Sequence, residues 1–425
     1  MFLLYVIVGQ LVFFLLLPVL LLHPKLRDGF LFRCGRLPAD WPGGRAAPVV
    51  WFHGASAGDL LALEPLMSRV AESLPAARLV VTTVTNSGYQ VARRGLAGGP
   101  AYGYAPYDVT WAVDAFVRAI KPTLLVLEYS ELWPALIHRV KRSGAAVVLV
   151  NGRFSEHNVW RYRLLYRLIG NPLRLLDRLC VRDEQEAARA RSIGAEPERI
   201  VVTGNTKFDA VGTITADAPA VETLRRELGL AADDTVWLAG STHDRENDMV
   251  LEVFARLRHE FTGLRLVIAP RYLEQVSLIK SLAEQRGLGW SLRSRPGRRQ
   301  PVIILDSVGE LRLAYHLAAV VFVGGSLVRR GGHNILEPAA CSKPVLFGPH
   351  MYNFRAALGA LLGRGGIQVR DAGQLYNVLA ELLRRPRELQ KLGRLARQAL
   401  RQSQGATEAC WRQLAPLLEA GKREP

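Results

Sequence analysis

The sequence predicts an α/β protein built from two tandem, Rossmann-like, doubly wound domains, and three observations carry that prediction. From residue 48 onward, short continuous apolar runs alternate with segments of helical period. The alternation breaks once, in a soft Ala-, Thr-, Gly- and Asp-rich stretch at 209–219, and then restarts. Most apolar runs end in polar residues or glycine, as they do in parallel sheets whose strand C-termini hold ligands.

The first element is the run Met1 to Leu22, almost wholly apolar and broken mainly by Gly9, Gln10 and Pro18. At about 1.5 Å rise per residue it is just long enough to cross a bilayer core. Nothing basic precedes it, while His23, Lys25, Arg27 and Arg33 follow at once. The positive-inside rule then places the bulk of the protein in the cytoplasm. A cleaved signal peptide would bring a basic start and a small-residue cleavage site, and neither is present. A retained anchor is expected, either spanning the bilayer or lying in its plane.

The strands of the first domain read as Val49 to His53, Arg78 to Thr85, Thr123 to Leu127, Ala146 to Asn151, Leu179 to Arg182 and Ile200 to Gly204. Helix-period segments such as Leu60 to Ser73 and Trp111 to Ile120 lie between them. The second domain repeats the pattern with Val236 to Gly240, Leu264 to Ala269, Val302 to Leu305, Val320 to Val323 and Val345 to Phe347. The resulting division is an anchor at 1–23, a domain at 24–208, a linker at 209–222, a domain at 223–403 and a helix at 404–425 that packs back. Two such domains are expected to turn their strand C-termini toward a shared cleft.

Composition narrows the partners. Among 425 residues, 49% are hydrophobic and 22% charged, which is ordinary for a globular protein. The 55 basic against 38 acidic residues give a formal net charge of +17, suited to nucleic acid or to an anionic membrane. No zinc-finger, RRM-like or basic-zipper pattern accompanies the charge, so nucleic acid is not expected. The four cysteines, Cys34, Cys180, Cys341 and Cys410, are scattered without CxxC pairs. That spacing argues against a disulfide framework or a zinc site.

The stretch from Val320 to Pro349 is the richest in chemistry. A buried-type run ends in Gly324, Gly325 and Ser326, a second pair follows at Gly331 and Gly332, and His333, Asn334 and Glu337 then open what reads as a helix. A strand feeding glycines and a helix N-terminus is expected to offer backbone N–H groups to a phosphate, with Glu337 placed for ribose hydroxyls. The spacing matches neither G-x-G-x-x-G nor G-x-x-x-x-G-K-[ST]. Other candidates sit at strand ends: His53, Ser56 and Asp59; Glu131 and Trp133; Arg153; Lys207; Ser241 and Thr242; Pro270 and Arg271.

Taken in order, these pieces resemble the 3-deoxy-D-manno-octulosonic acid (Kdo) transferases. The series is WFHGASAGD (51–59), TTVTNSG (82–88), ELWP (131–134), NGRFS (151–155), GNTKFD (204–209), STHDRE (241–246), PRY (270–272), GEL (309–311), VGGSLVRRGGHNILEPAA (323–340) and FGP (347–349). The resemblance runs from about residue 24 to near the C-terminus. It implies a GT-B fold and inverting transfer of Kdo from CMP-Kdo to a lipid A precursor, without a bound metal or other cofactor, at the cytoplasmic face of a bacterial inner membrane. It implies Asp59 as general base with Glu131 beside it. Ser56, Gly58, Arg153 and Lys207 would meet the acceptor. Ser241, Thr242, Pro270, Arg271, Gly324, Gly325, Ser326, His333, Asn334 and Glu337 would meet the donor.

The chain departs from the family pattern in places. Asp59 stands where glutamate is expected, and Tyr129 and Ser130 replace the first two residues of the usual E-T-E before Leu-Trp-Pro, with Glu128 displaced by one. A one-residue shift after a strand sends a side chain to the other face, so Glu128 is not expected to replace the missing carboxylate. Tyr272 replaces histidine, and Gln275 stands where an arginine is expected.

Blander readings stand beside these. Asp59 can simply charge the first turn of its helix, Ser241 and Thr242 can form an N-cap pair, and His53 and His333 can be satisfied structural histidines. Trp133 reads as core packing, and Arg153 and Lys207 as solvated charges. A sugar-nucleotide 2-epimerase and a non-catalytic glycolipid- or donor-binding paralogue are the rival functions.

Overall fold

The computed structural model describes residues 2–23, 27–38, 41, 47–212, 217–295 and 299–420. Lys25, part of the expected linker and residues 421–425 fall outside that set. The chain divides into two compact units, one formed by residues 1–210 with 404–425 and the other by 211–403.

The first unit holds a seven-stranded parallel sheet: β1 (Val49–His53), β2 (Arg78–Thr83), β3 (Ala101–Tyr104), β4 (Leu124–Glu128), β5 (Ala146–Gly152), β6 (Arg178–Val181) and β7 (Ile200–Val202). Their order is β3-β2-β1-β4-β5-β6-β7. The chain winds outward from β1 in one direction and from β4 in the other, so β1 and β4 flank the switch point where such sheets open to a ligand. Both faces are covered. Trp51, Val80, Leu125 and Leu127 pack with Phe116 and Ile137 on one side. Val50, Phe52, Val81 and Val126 pack with Leu60, Leu63 and Met67 on the other.

The helix Ala406–Ala420 belongs to this unit. Cys410, Leu414 and Leu418 complete the core over Val50, Phe52 and Cys180, and Asp209 binds the amides of Gly405 at 2.8 Å and Thr407 at 2.6 Å.

The second unit repeats the plan with β8 (Thr235–Thr242), β9 (Leu264–Pro270), β10 (Trp290–Leu292), β11 (Val302–Ile304), β12 (Val320–Val323), β13 (Val345–Phe347) and β14 (Gly366–Gln368). The order is β10-β11-β9-β8-β12-β13-β14, again parallel, with the switch point between β8 and β12. Trp237, Phe254, Leu266, Ile268 and Phe322 form its core.

Three strands were not expected from the sequence: β3 (AYGY), β10 (WSL) and β14 (GIQ). All three lie at sheet edges, where a strand is not buried on both faces and shows no continuous apolar run. One expected membrane-flanking charge is also corrected. Arg33 is buried, bonding the carbonyls of Asp28 and Val84 and lying over the Tyr104 ring, so it is a core cation and not part of a basic rim.

Candidate active site

At the β1 end, Ser56 caps the helix Ala57–Ser73 and Asp59 occupies its first turn. Asp59 Oδ2 accepts the Ser56 amide at 3.0 Å and the Ser56 hydroxyl at 2.8 Å. Its other oxygen, Oδ1, lies 3.7 Å from Lys207 Nζ. The capping and functional readings therefore share one carboxylate, one oxygen to each. Gly54 allows this close turn, since a Cβ there would meet Asp59 Cβ at 3.0 Å. Lys207 is set by Asn205, whose Oδ1 takes the Lys207 amide at 3.1 Å.

Glu128 stands one residue before the positions where the family pattern changes. It ends β4, fully buried, and its Oε2 accepts Asn151 Nδ2 at 2.9 Å. Asn151 also binds Thr206 through both ends of its amide, at 2.7 and 2.9 Å, tying β4 and β5 to the Lys207 segment. Burial pushes the Glu128 carboxyl up to about 7, Lys207 opposes this and the Asp59 charge adds to it. Tyr129 takes a left-handed backbone (φ 66°) just past the strand. Glu128 lies near enough to Asp59 and Lys207 to feel both charges. Tyr129 becomes a platform, with Lys207 Nζ 5.7 Å and the Arg182 guanidinium 4.7 Å from its ring centroid. Arg153 bonds the Tyr129 hydroxyl.

Glu131 forms a separate group. Its Oε2 lies 3.5 Å from His53 Nε2 and accepts Trp133 Nε1 at 2.8 Å. Burial pushes this carboxyl up, but the His53 and Trp133 contacts outweigh it and hold it below the usual range. His53 Nδ1 meets Thr82 Oγ1 at 3.1 Å, which holds the ring with Nε2, buried and without a hydrogen bond, facing Glu131. Trp133 is corrected from core packing: it is 38% exposed and lines a cavity of about 230 Å³ with Arg33, His53, Tyr107, Asp108 and Leu136. Asp108, not singled out in the sequence, accepts the amides of Ala135 and Leu136 at the start of the helix Pro134–Arg142. Burial raises its pKa against those bonds.

In the second unit the glycine-rich loop is spoken for. Glu246, fully buried, accepts the amides of Gly325 at 2.6 Å, Ser326 at 3.0 Å, Leu327 at 2.9 Å and His243 at 3.1 Å. The expectation that the Gly325 and Ser326 amides cradle a phosphate is therefore corrected, because an internal carboxylate already takes them. Close packing demands the glycines: a Cβ on Gly324 would lie 2.5 Å from the Ser241 carbonyl, and one on Gly348 2.2 Å from that of Ser326. Ser326 Oγ bridges the Val323 carbonyl and the Gly348 amide, at 2.5 and 2.8 Å.

The neighbouring residues are rearranged relative to the sequence reading. The helix after the loop is only Leu336–Ala340. Asn334 lies before it and accepts the Leu336 amide at 3.0 Å. Glu337 pairs with Arg312 at 3.1 Å. Ser241 and Thr242 end β8, and His243 is the N-cap of the helix Asp244–Arg258, correcting the N-cap pair. Ser241 holds a left-handed backbone (φ 56°), and the buried Thr242 hydroxyl has no hydrogen-bond partner. His243 and His333 stack with their Nε2 atoms 3.0 Å apart. Burial, then Arg271 and His243, pushes His333 down to about 4, leaving the ring neutral at pH 7. Arg271 follows Pro270 at the end of β9, exposed beside Tyr272. Among the described residues no group of three or more His, Cys, Asp or Glu side chains is placed to hold a metal ion.

The fold is that of GT-B-like enzymes. UDP-GlcNAc 2-epimerase from Neisseria meningitidis, solved bound to UDP-GlcNAc, aligns with TM-score 0.61 and 11% identity over 87% of this chain and 100% of that one. An S. aureus MnaA–UDP co-structure aligns with TM-score 0.56 and 16% identity over 89% and 99%. At such identities the likeness is one of fold.

The family model described as "3-Deoxy-D-manno-octulosonic-acid transferase (kdotransferase)" matches residues 29–210. The 3-deoxy-D-manno-octulosonic acid transferase of Chlamydophila psittaci is 33% identical over 86% of this chain and 84% of its own length. That of Chlamydia trachomatis serovar A is 30% identical over 92% and 90%. The chain belongs to the Kdo transferase family of glycosyltransferases.

Proposed function

We propose that this chain transfers Kdo from CMP-Kdo to a hydroxyl of a lipid A precursor, with inversion, at the cytoplasmic face of a bacterial inner membrane. The observation that carries the reading is the pair Asp59 Oδ1 and Lys207 Nζ at the switch point of the first sheet. Asp59 is held by Ser56 through one oxygen only, which leaves the other for an acceptor proton. Asp59 takes the hydroxyl proton as the oxygen attacks the anomeric carbon of Kdo. The bond from that carbon to the CMP phosphate breaks, and CMP leaves with the electron pair. Lys207 Nζ faces the uncapped oxygen of Asp59, and Arg153 is proposed to meet an acceptor phosphate. Glu131, oriented by His53 and Trp133, is proposed as a second carboxylate of the site.

The second unit is proposed to hold CMP-Kdo. Arg271 supplies a guanidinium for the phosphate or the Kdo carboxylate. Ser241, Thr242, Pro270, His333, Asn334 and Glu337 are proposed around it. Gly324, Gly325 and Ser326 act by shape, with their loop locked on Glu246. The test is incubation with CMP-Kdo and a lipid A precursor, following CMP release and product mass, with UDP-GlcNAc as the control donor. Transfer from CMP-Kdo that is lost in Asp59→Asn is expected. Turnover of UDP-GlcNAc alone overturns the reading.

A further inference from the structure

The apolar helix Phe2–Leu22 is held along one side by the body of its own unit. Phe2 stacks on His138 with ring centroids 3.7 Å apart, Tyr5 bonds Asp108, and Gln10 Nε2 reaches Thr110 Oγ1 at 3.2 Å. Phe13 is buried against Tyr107 and Trp111, and Leu17 and Leu20 pack around the same cluster. The held residues recur every three to five positions, so one face is covered along nearly the whole helix, roughly 27 Å. The opposite face exposes Leu3, Ile7, Leu11, Phe14, Leu15 and Leu22. A helix crossing the bilayer with these contacts intact would draw Asp108, Thr110 and His138 to hydrocarbon depth, where polar groups are costly.

A second apolar surface adjoins the first. The helix Val159–Ile169 packs against Phe2–Leu22 and exposes Trp160 (60%), Leu164, Leu165 and Leu168. Arg161, Arg163 and Arg167 stand among them, with the Arg161 guanidinium 5.3 Å from the Trp160 ring centroid. Tryptophan and arginine beside leucines mark a helix that lies at a membrane–water boundary.

We propose that the two helices form one in-plane docking face whose occupant is the headgroup–acyl boundary of the facing leaflet of an anionic bilayer, the first helix lying flat in it and not spanning it. Continuity of the two apolar faces gives the area, and the arginines match an anionic headgroup layer. The proposal does not depend on the sugar donor or on the transfer reaction.

Fluorophore-labelled single cysteines in the full chain test it, in a Cys34→Ser background: Leu3→Cys, Leu11→Cys, Leu22→Cys and Leu164→Cys. The protein is bound to preformed vesicles of phosphatidylcholine and phosphatidylglycerol at three to one, and depth is read with lipids brominated at known acyl positions. All four sites are expected at one shallow depth, with Leu3 and Leu22 both reached by an impermeant reductant added outside. A depth gradient deepest at Leu11, with Leu3 protected, overturns the flat orientation. An unquenched Leu164 site overturns the second helix. A soluble dimer that ignores vesicles shows that a second copy covers the face. Replacing Arg161 and Arg167 by glutamine should weaken binding about five-fold per arginine on these vesicles and not on pure phosphatidylcholine. Equal weakening on both overturns the electrostatic part.

Discussion

Asp59 Oδ1 and Lys207 Nζ lie 3.7 Å apart, although 148 residues separate them in the chain. The cap on Oδ2 stops the carboxylate from rotating away from the lysine. Asp59→Asn keeps the shape and cap acceptor but removes the base. Its transfer rate should fall by about 10²–10⁴-fold, the usual worth of a positioned base, with its thermal midpoint close to wild type. Steady-state CMP release and a melting curve check both halves.

The Glu128 carboxyl titrates at about 7 in the folded protein against an ordinary value of 4.5. Between those values the folded state binds the extra proton, so this group's contribution to stability is present at low pH and lost as pH rises through 7. At about 1.4 kcal/mol per tenfold in proton affinity, ionising Glu128 costs roughly 3 kcal/mol. Glu128→Gln should therefore gain more stability over wild type at pH 8.5 than at pH 5. Urea unfolding at the two pH values reads this, and an equal difference at both contradicts it.

Glu246 should be the most sensitive single residue of the second unit. Glu246→Ala leaves four inward-facing amides without an acceptor. Each unmet buried group costs about 1–3 kcal/mol. Glu246→Gln keeps one acceptor oxygen but turns an NH₂ toward N–H groups, and should rescue only part. Melting curves and hydrogen exchange at Gly325 to Leu327 measure the loss.

Arg271 is exposed at the end of β9, so Arg271→Met should leave the melting temperature within about 1–2 °C. If it meets the donor, affinity for CMP-Kdo should fall about 10- to 100-fold, the range of a lost charge-assisted pair. Calorimetric titration with CMP-Kdo decides this, and unchanged affinity removes Arg271 from the site.

Much of the fold was legible because interior strands such as VVWFH and VVFV are buried on both faces and carry unbroken apolar runs. The edge strands have no such constraint, and AYGY reads as a loop. The site was legible in its residue types but not in their partners. Glycines 324 and 325 announced a special backbone, yet the carboxylate that requires it lies 79 residues before Gly325, where it reads only as an acid in the first turn after a strand. Likewise, nothing local in the sequence shows that Tyr129 takes a left-handed backbone with its ring against Arg182 and Lys207.

The helix Ala406–Ala420 closes the core of the first unit, and everything from 211 to 403 lies between the two parts of that unit. During synthesis the second unit can therefore mature while the first still lacks one wall over Val50, Phe52 and Cys180. Domains generally fold in the order in which they are made, and here that order is inverted. The apolar helix Phe2–Leu22 is made early and the closing helix late, so the apolar face left open in between is the one a chaperone has most reason to hold.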